Sequence, residues 1–370
     1  MTISILYREE LREYDFGPGH PFRGDRYEVF PGVLKAFIPA DGNYRFVAGE
    51  ICTEEDLQLI CSQEYIDFCR DYFRAAHAGE TFSRSMDFPK YQSLDNLPRG
   101  RPGRLEEAAR MIIGQVKLGA QLVMEGGEEF VISIGGNLHH AKPDYGEGFC
   151  IYNDNAFVVK YLMEHYGLER IVVLDTDAHQ GNGTSEYFYS DPRVLFIDTH
   201  QDPTTLYPGV GFANDVGQGA GKGYTINLPM PVYAGLDSYR LAFERVIEPV
   251  ILEFQPQVIV RNGGSDPHFA DGLTNLGLPV SGFRMIGDKV RALTQECGCR
   301  EIDIIGSGYN MEVLPSAWLA LVCGIAGFNV EVGEPVPIPQ RFLVDSVVGQ
   351  TEKMLAEVRG YLKEYWKCFA

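Results

Sequence analysis

The sequence predicts an α/β protein built on one parallel sheet flanked by helices, and three observations carry that prediction. Short apolar runs without polar alternation, such as Phe130–Ile134 and Ile171–Leu174, have the character of strands buried on both faces. These runs alternate with segments of helical spacing, and no repeat or low-complexity linker interrupts the series. Polar residues cluster directly after several of the runs, at the carboxyl ends where open α/β sheets bind their ligands.

In chain order, Ser4–Tyr7 reads as a first strand, and the Gly- and Pro-rich loop from Asp15 to Arg26 excludes regular structure. Thr53 opens a helix whose first turn holds Glu54, Glu55 and Asp56, where the helix dipole favours anions. Residues 79–101, with Asp87, are irregular. Leu105–Met124 is helical and stops at Gly126-Gly127. After the strand at Phe130–Ile134 come a helix over Asn153–Tyr166 and strands at Ile171–Leu174 and Val194–Ile197. A long glycine-rich loop then runs from Pro208 to Gly223. Tyr224–Leu228, Val258–Val260 and Ile302–Ile305 read as strands, Asp237–Phe254 and Phe283–Gln295 as helices, and Val344–Tyr365 as a closing helix. The unbroken series predicts a single domain over residues 1–370.

Composition excludes several function classes. A net charge of −19 argues against a sequence-independent grip on nucleic acid, which needs clustered Lys and Arg. MTISILYREE lacks the basic and apolar regions of a secretory signal, and the apolar stretch Ala317–Phe328 falls short of the roughly 20 residues a membrane helix needs. Eight cysteines in so long a chain are sparse, and Cys297-Gly-Cys299 lacks a second pair for a zinc ribbon. A cytoplasmic protein with reduced thiols is expected, with no membrane partner.

Four strand ends carry polar clusters: His139-His140, Asp175/Asp177/His179, Asn262-Gly-Gly-Ser-Asp266 and Gly306-Ser-Gly-Tyr309. Asp177 and His179, two apart in extended chain, project to the same side. With Asp266 they make a set of one imidazole and two carboxylates. Three protein ligands with a position left for water is the pattern of a catalytic rather than a structural zinc site. Two carboxylates neutralise the cation, so its water is less acidified than at a three-His site and a separate general base is needed. His139 and His140 supply candidates, with Asp175 and Asn182 suited to fix their tautomers. Tyr309 is suited to hydrogen-bond an oxyanion opposite the metal.

From about Gly19 to about Gly327 the chain resembles the zinc-dependent histone deacetylase family, which also includes bacterial acetoin-utilisation proteins and acetylpolyamine amidohydrolases. The blocks GHPFRGDR, GGNLHHAKPDYGEGFCIYND, LDTDAHQGNGT, YPGVGFANDVGQGAGKGYTINLPM, NGGSDPHFADGL and GSGYN stand in the family's order. The resemblance implies the three-layer arginase/deacetylase fold, with a single parallel eight-stranded sheet. It implies Asp177, His179 and Asp266 as ligands of Zn2+, with Fe2+ the alternative for such donors. His140 is the implied general base and acid, His139 its companion paired with Asp175, and Tyr309 the carbonyl polariser. Phe149 and Tyr207 match the walls of an acyl-lysine tunnel, Gly148 and Gly308 its backbone lining, Asp87 the rim carboxylate and Arg26 the arginine of an inner acetate channel. Asp175, Asp177, His179, Asp198 and Thr199 fall where the family binds a structural K+ or Na+.

Three positions depart from the common pattern. Asn182 stands where many members have Asp, so His140 should be less basic here, and Gln180 and Tyr207 replace a frequent His and Phe. The expected activity is amide hydrolysis by metal-activated water, removing acetyl or another short acyl group from an amine, with acyl-lysine in proteins or peptides the leading substrate. Acetylated polyamines or other small amides are the alternative substrates. A non-catalytic acyl-lysine binding protein is the rival of another class, and an arginase-like binuclear hydrolase the nearest enzymatic rival, since Asp177-Ala-His179 is similar to that fold's metal box. The rival would need a further carboxylate where Gly181 stands. Oligomeric state is open.

Overall fold

A computed structural model describes residues 2–370. Its eight strands form one parallel sheet in the order β2-β1-β3-β8-β7-β4-β5-β6, flanked by helices, as expected. The chain packs as two compact units, one comprising the residues up to Gly167 with Ile304–Gly306, the other Leu168–Asp303 with Ser307–Ala370.

The first unit contains β1 (Ile3–Leu6), α1 (Arg26–Phe37), β2 (Tyr44–Val47), α2 (Glu54–Gln58), α3 (Gln63–Ala78), α4 (Phe88–Tyr91), α5 (Leu105–Met124), β3 (Phe130–Ile134) and α6 (Asp154–Tyr166). Thr53 does open a helix: its hydroxyl accepts the Asp56 N–H while Asp56 caps the Thr53 N–H. That helix ends after five residues, and a second, capped by Ser62, carries the apolar face of Tyr65, Ile66, Phe68, Cys69 and Phe73. α5 has the predicted bounds. The loop expected from Asp15 to Arg26 is irregular apart from turns, and α1 follows it despite Pro31.

The second unit contains β4 (Ile171–Asp175), α7 (Asn182–Phe188), β5 (Val194–Gln201), β6 (Thr225–Met230), α8 (Leu236–Ala242), α9 (Glu248–Phe254), β7 (Val258–Gly263), α10 (Val280–Cys297), α11 (Leu314–Ala326) and α12 (Val348–Leu362); β8 (Arg300–Ile305) starts in it. Every residue of β4, β5 and β7 is buried, and each opens on an apolar run, Ile171–Leu174, Val194–Ile197 and Val258–Val260, before polar residues at its carboxyl end. The helix expected over Asp237–Phe254 is interrupted by a π turn at Phe243–Ile247, just ahead of Pro249, which has no N–H to donate into an α-helical ladder. Among the described residues no helix is long and apolar enough to cross a membrane.

Candidate active site

In the second unit β4 pairs with β7 so that Asp175 lies beside Asn262. The Asn262 amide donates to Asp175 Oδ2 at 2.9 Å, and Asp175 Oδ1 accepts the Asp177 N–H at 3.1 Å. Asp175 thus shapes the turn that presents the next two polar side chains. Asp177 Oδ1 accepts the His179 N–H at 2.8 Å, and His179 Nδ1 lies 3.1 Å from Asp177 Oδ1 and 3.0 Å from Asp266 Oδ2. The other oxygen of Asp266 is held by the Ala178 N–H at 3.2 Å and the Ser307 hydroxyl at 3.0 Å. That leaves Oδ2 facing inward.

Ligand atoms of Asp177, His179 and Asp266 lie within 4.8 Å of one another, and all three residues are buried. Burial lowers the His179 pKa, but the hydrogen bonds and charges of Asp177 and Asp266 outweigh it and raise it to about 10. Burial, and then the charge of Asp177, push the Asp266 carboxyl well above its ordinary range. Two carboxylates converging away from water are costly unless a cation lies between them. The Tyr239 hydroxyl, in the field of the same carboxylates, is buried without a hydrogen-bond partner among the described residues. One imidazole and two carboxylates in this arrangement fit Zn2+ or Fe2+.

Tyr309 approaches the trio from the turn after β8. Ser307 C=O accepts the Ser265 N–H at 3.0 Å and the Trp318 indole N–H at 2.9 Å. Gly308 has φ +126°, and a Cβ there would lie 1.9 Å from Ser265 Oγ, so only glycine lets the two turns interlock. Asp271 Oδ2 accepts the Tyr309 N–H at 2.8 Å, and the Tyr309 ring stands edge-on to His179 with centroids 6.4 Å apart. Burial raises the Asp271 carboxyl to about 6.

In the first unit the chain leaves β3 through Gly135 and Gly136, at φ +94° and +137°. A Cβ on Gly136 would lie 2.3 Å from Asp154 Oδ2, the oxygen that accepts the Asn137 N–H at 2.9 Å; Oδ1 accepts the Leu138 N–H at 2.8 Å. Asn153 caps α6 through Oδ1 and donates from Nδ2 to the carbonyls of His139 and Ala141. His139 and His140 are buried with ring centroids 4.0 Å apart, and Gly148 comes so close to His140 that a Cβ there would lie 2.2 Å from Cδ2 of the ring. The Phe149 ring packs on His20 at 4.7 Å. Arg26 is buried, its guanidinium donating to the Gly306 carbonyl at 3.0 Å and covering the Phe22 ring at 4.0 Å. Asp87 is half-buried and paired with Arg84 at 2.9 Å.

The structure therefore brings together Asp177, His179, Asp266 and Tyr309 in the second unit, and His139, His140 and Gly148 in the first. Thr199 Oγ1 donates to the Asp175 carbonyl at 3.3 Å, and Asp198 accepts the Gly181 N–H at 2.8 Å and pairs with His200 at 2.7 Å. Asn182 is the first residue of α7, and Tyr207 stands 42% exposed on the loop after β5. Ser307, Asp271, Asn153 and Asp154 are positioning residues that sequence reasoning passed over. The pair Asn153-Asp154 at a helix start carried a readable capping signal; Ser307 and Asp271 carried none.

A buried carboxylate–imidazole–carboxylate trio at the end of a parallel sheet makes this an α/β protein with a candidate metal site. The histone deacetylase domain matches residues 20–325, most of the chain, and the chain belongs to the histone deacetylase family. It is 33% identical over 383 residues to a probable deacetylase of Archaeoglobus fulgidus, covering 100% of both chains. It is 30% identical over 339 residues to the acetoin utilization protein AcuC of Bacillus subtilis, covering 90% of this chain and 84% of that one. Among solved structures the HDA15 HD domain superposes with a TM-score of 0.80 at 21% identity, over 100% of this chain and 97% of that one, a likeness of fold.

Proposed function

We propose that this protein hydrolyses acyl-amides, removing acetyl or another short acyl group from an amine, with acyl-lysine in proteins or peptides as the substrate class. The observation that carries the reading is the buried Asp177–His179–Asp266 trio in a chain of a deacetylase family. Asp177, His179 and Asp266 would hold Zn2+ or Fe2+, which would supply Lewis acidity toward an acyl carbonyl and water. The Tyr309 hydroxyl donates a hydrogen bond to the acyl oxygen as negative charge develops on it. His140 takes a proton from the attacking water and returns it to the leaving amine, with His139, Asp175 and Asn182 holding the imidazoles in register. Gly148, Phe149, Tyr207 and Gly308 line the acyl-lysine path, Asp87 receives substrate backbone at its rim, and Arg26 serves the channel for released acetate. Asp175, Asp177, His179, Asp198 and Thr199 would hold K+ or Na+ mostly through backbone oxygens, leaving the Asp177 and His179 side chains to the divalent cation.

The family match over residues 20–325 supports treating the chain as one deacetylase domain. The sparse cysteines, eight in 370 residues, fit a reducing, cytoplasmic setting. A competition between an acetyl-lysine peptide and N-acetylputrescine tests the substrate class. Preference for the peptide in kcat/KM is expected, and preference for the polyamine would move the assignment to small cationic amides, which the acidic chain also attracts.

A further inference from the structure

The segment from Phe328 to Val347 lies beyond the matched domain and has no helix longer than the single turn at Gln340–Phe342. It is nonetheless tied to the loop between Asp266 and Tyr309's anchor. His268 is wholly buried, and its Nδ1 accepts the Ala270 N–H at 3.1 Å, so its proton is on Nε2. Nε2 donates to Glu334 Oε1 at 2.7 Å, and Glu334 Oε2 accepts the Val280 N–H at the start of α10 at 2.9 Å. Phe342 of the same segment packs on Phe269 with centroids 5.4 Å apart and the rings tilted by 31°. From Ala270 the network reaches the site: the Ala270 carbonyl accepts from Asn310 at 2.7 Å, and the next residue, Asp271, holds the Tyr309 N–H.

We propose that Glu334 is a positioning residue for Tyr309, acting through His268 and the Ala270–Asp271 turn, so that the segment after the matched domain sets the geometry of the carbonyl-polarising phenol. The proposal rests on the deacetylase reading for its effect on turnover, while its effect on the turn does not depend on that reading. Without Glu334 the His268 Nε2–H is buried and unpaired. The ring then turns toward another acceptor, the Ala270 N–H is released, and the Asp271 carboxylate that holds Tyr309 loses its frame.

The test uses Glu334→Ala, Glu334→Gln and a control, Asp345→Ala, which releases the Gly235 and Ser238 amides at the other end of the same segment. Hydrogen exchange at Ala270 and Tyr309 is expected to speed up at least about 10-fold in Glu334→Ala, and not in Asp345→Ala. Turnover of an acetyl-lysine peptide is expected to fall about 10-fold in kcat, and less than about 2-fold when the change is made in a Tyr309→Phe background. Glu334→Gln, which keeps an oxygen for His268, is expected to stay within about 3-fold of the parent in both readouts. Equal exchange at Tyr309 in Glu334→Ala and the parent, equal kcat losses in the two backgrounds, or a Gln variant as perturbed as Ala would each overturn the proposal. Should Glu334→Ala not fold, His268→Phe removes the same link and carries the same expectations. If the parent shows no turnover, the deacetylase reading fails and the exchange comparison alone decides the positioning role.

Discussion

Gly148→Ala probes whether the buried His140 ring takes part in the reaction. A Cβ at position 148 would lie 2.2 Å from His140 Cδ2 and 2.6 Å from Cγ, against ordinary contact beginning at 3.4 Å, so the ring must retreat by about 1.2 Å. The backbone gives little help: Gly148 sits at φ +60°, its N–H is held by Asp95 Oδ2 at 3.0 Å, and Phe149 next to it is also left-handed at φ +68°. A left-handed conformation costs an L-residue about 1–2 kcal/mol, and overpacking adds about 1–3 kcal/mol. A loss of about 2–5 kcal/mol in stability follows, a fall of several degrees in Tm for a chain of this length. Displacing a proton-transfer group by about 1 Å costs on the order of 10²-fold in rate. The assay is kcat on a fluorogenic acetyl-lysine peptide, read beside a thermal melt and the cation content, which should not change because Gly148 is not one of the three ligand residues. A fall in Tm with kcat within about 3-fold of the parent would take His140 out of the chemistry. An unchanged Tm would refute the packing itself.

Tyr309→Phe should lower kcat by about 10²-fold or more with cation content unchanged, measured by steady-state kinetics and elemental analysis. Ser307→Ala removes the hydroxyl that holds Asp266 Oδ1 at 3.0 Å, and should weaken divalent-cation affinity about 10–100-fold in a competition titration against a chelator. Burial raises the Asp154 carboxyl to about 6 from an ordinary 3.8, against the opposing hydrogen bonds from Leu138 and Asn137. Its contribution to stability is therefore complete below about pH 4 and lost as pH rises through about 6. Asp154→Asn should flatten denaturant-measured stability between pH 4 and 6 by up to about 1.4 kcal/mol per pH unit.

Much of the architecture was legible because the central strands are buried on both faces: β3, β4, β5 and β7 announce themselves as apolar runs, and α5 and α6 end at glycines or begin at a capping residue. The edge strand β2 was not, since Tyr44–Val47 is four residues long and only Tyr44 is buried. α1 was hidden by Pro31, whose missing N–H is tolerated within a 12-residue helix that packs Tyr27, Phe30 and Leu34 into the core. At the site, Asp177, His179 and Asp266 were readable because each follows a strand. Ser307 and Asp271 act across 41 and 38 residues of chain, and no local spacing encodes such a contact. Glu334, joined to His268 over 66 residues, was invisible for the same reason.

We assign the Asp177–His179–Asp266 trio to one divalent cation that serves amide hydrolysis. The most direct test is acetate release from an acetyl-lysine peptide by protein stripped with a chelator and titrated with Zn2+ or Fe2+. Activity should vanish on stripping and return in proportion to added cation, levelling at one equivalent per chain. Full activity in the stripped protein, or a plateau only at two equivalents, would rule out a single catalytic cation at the trio.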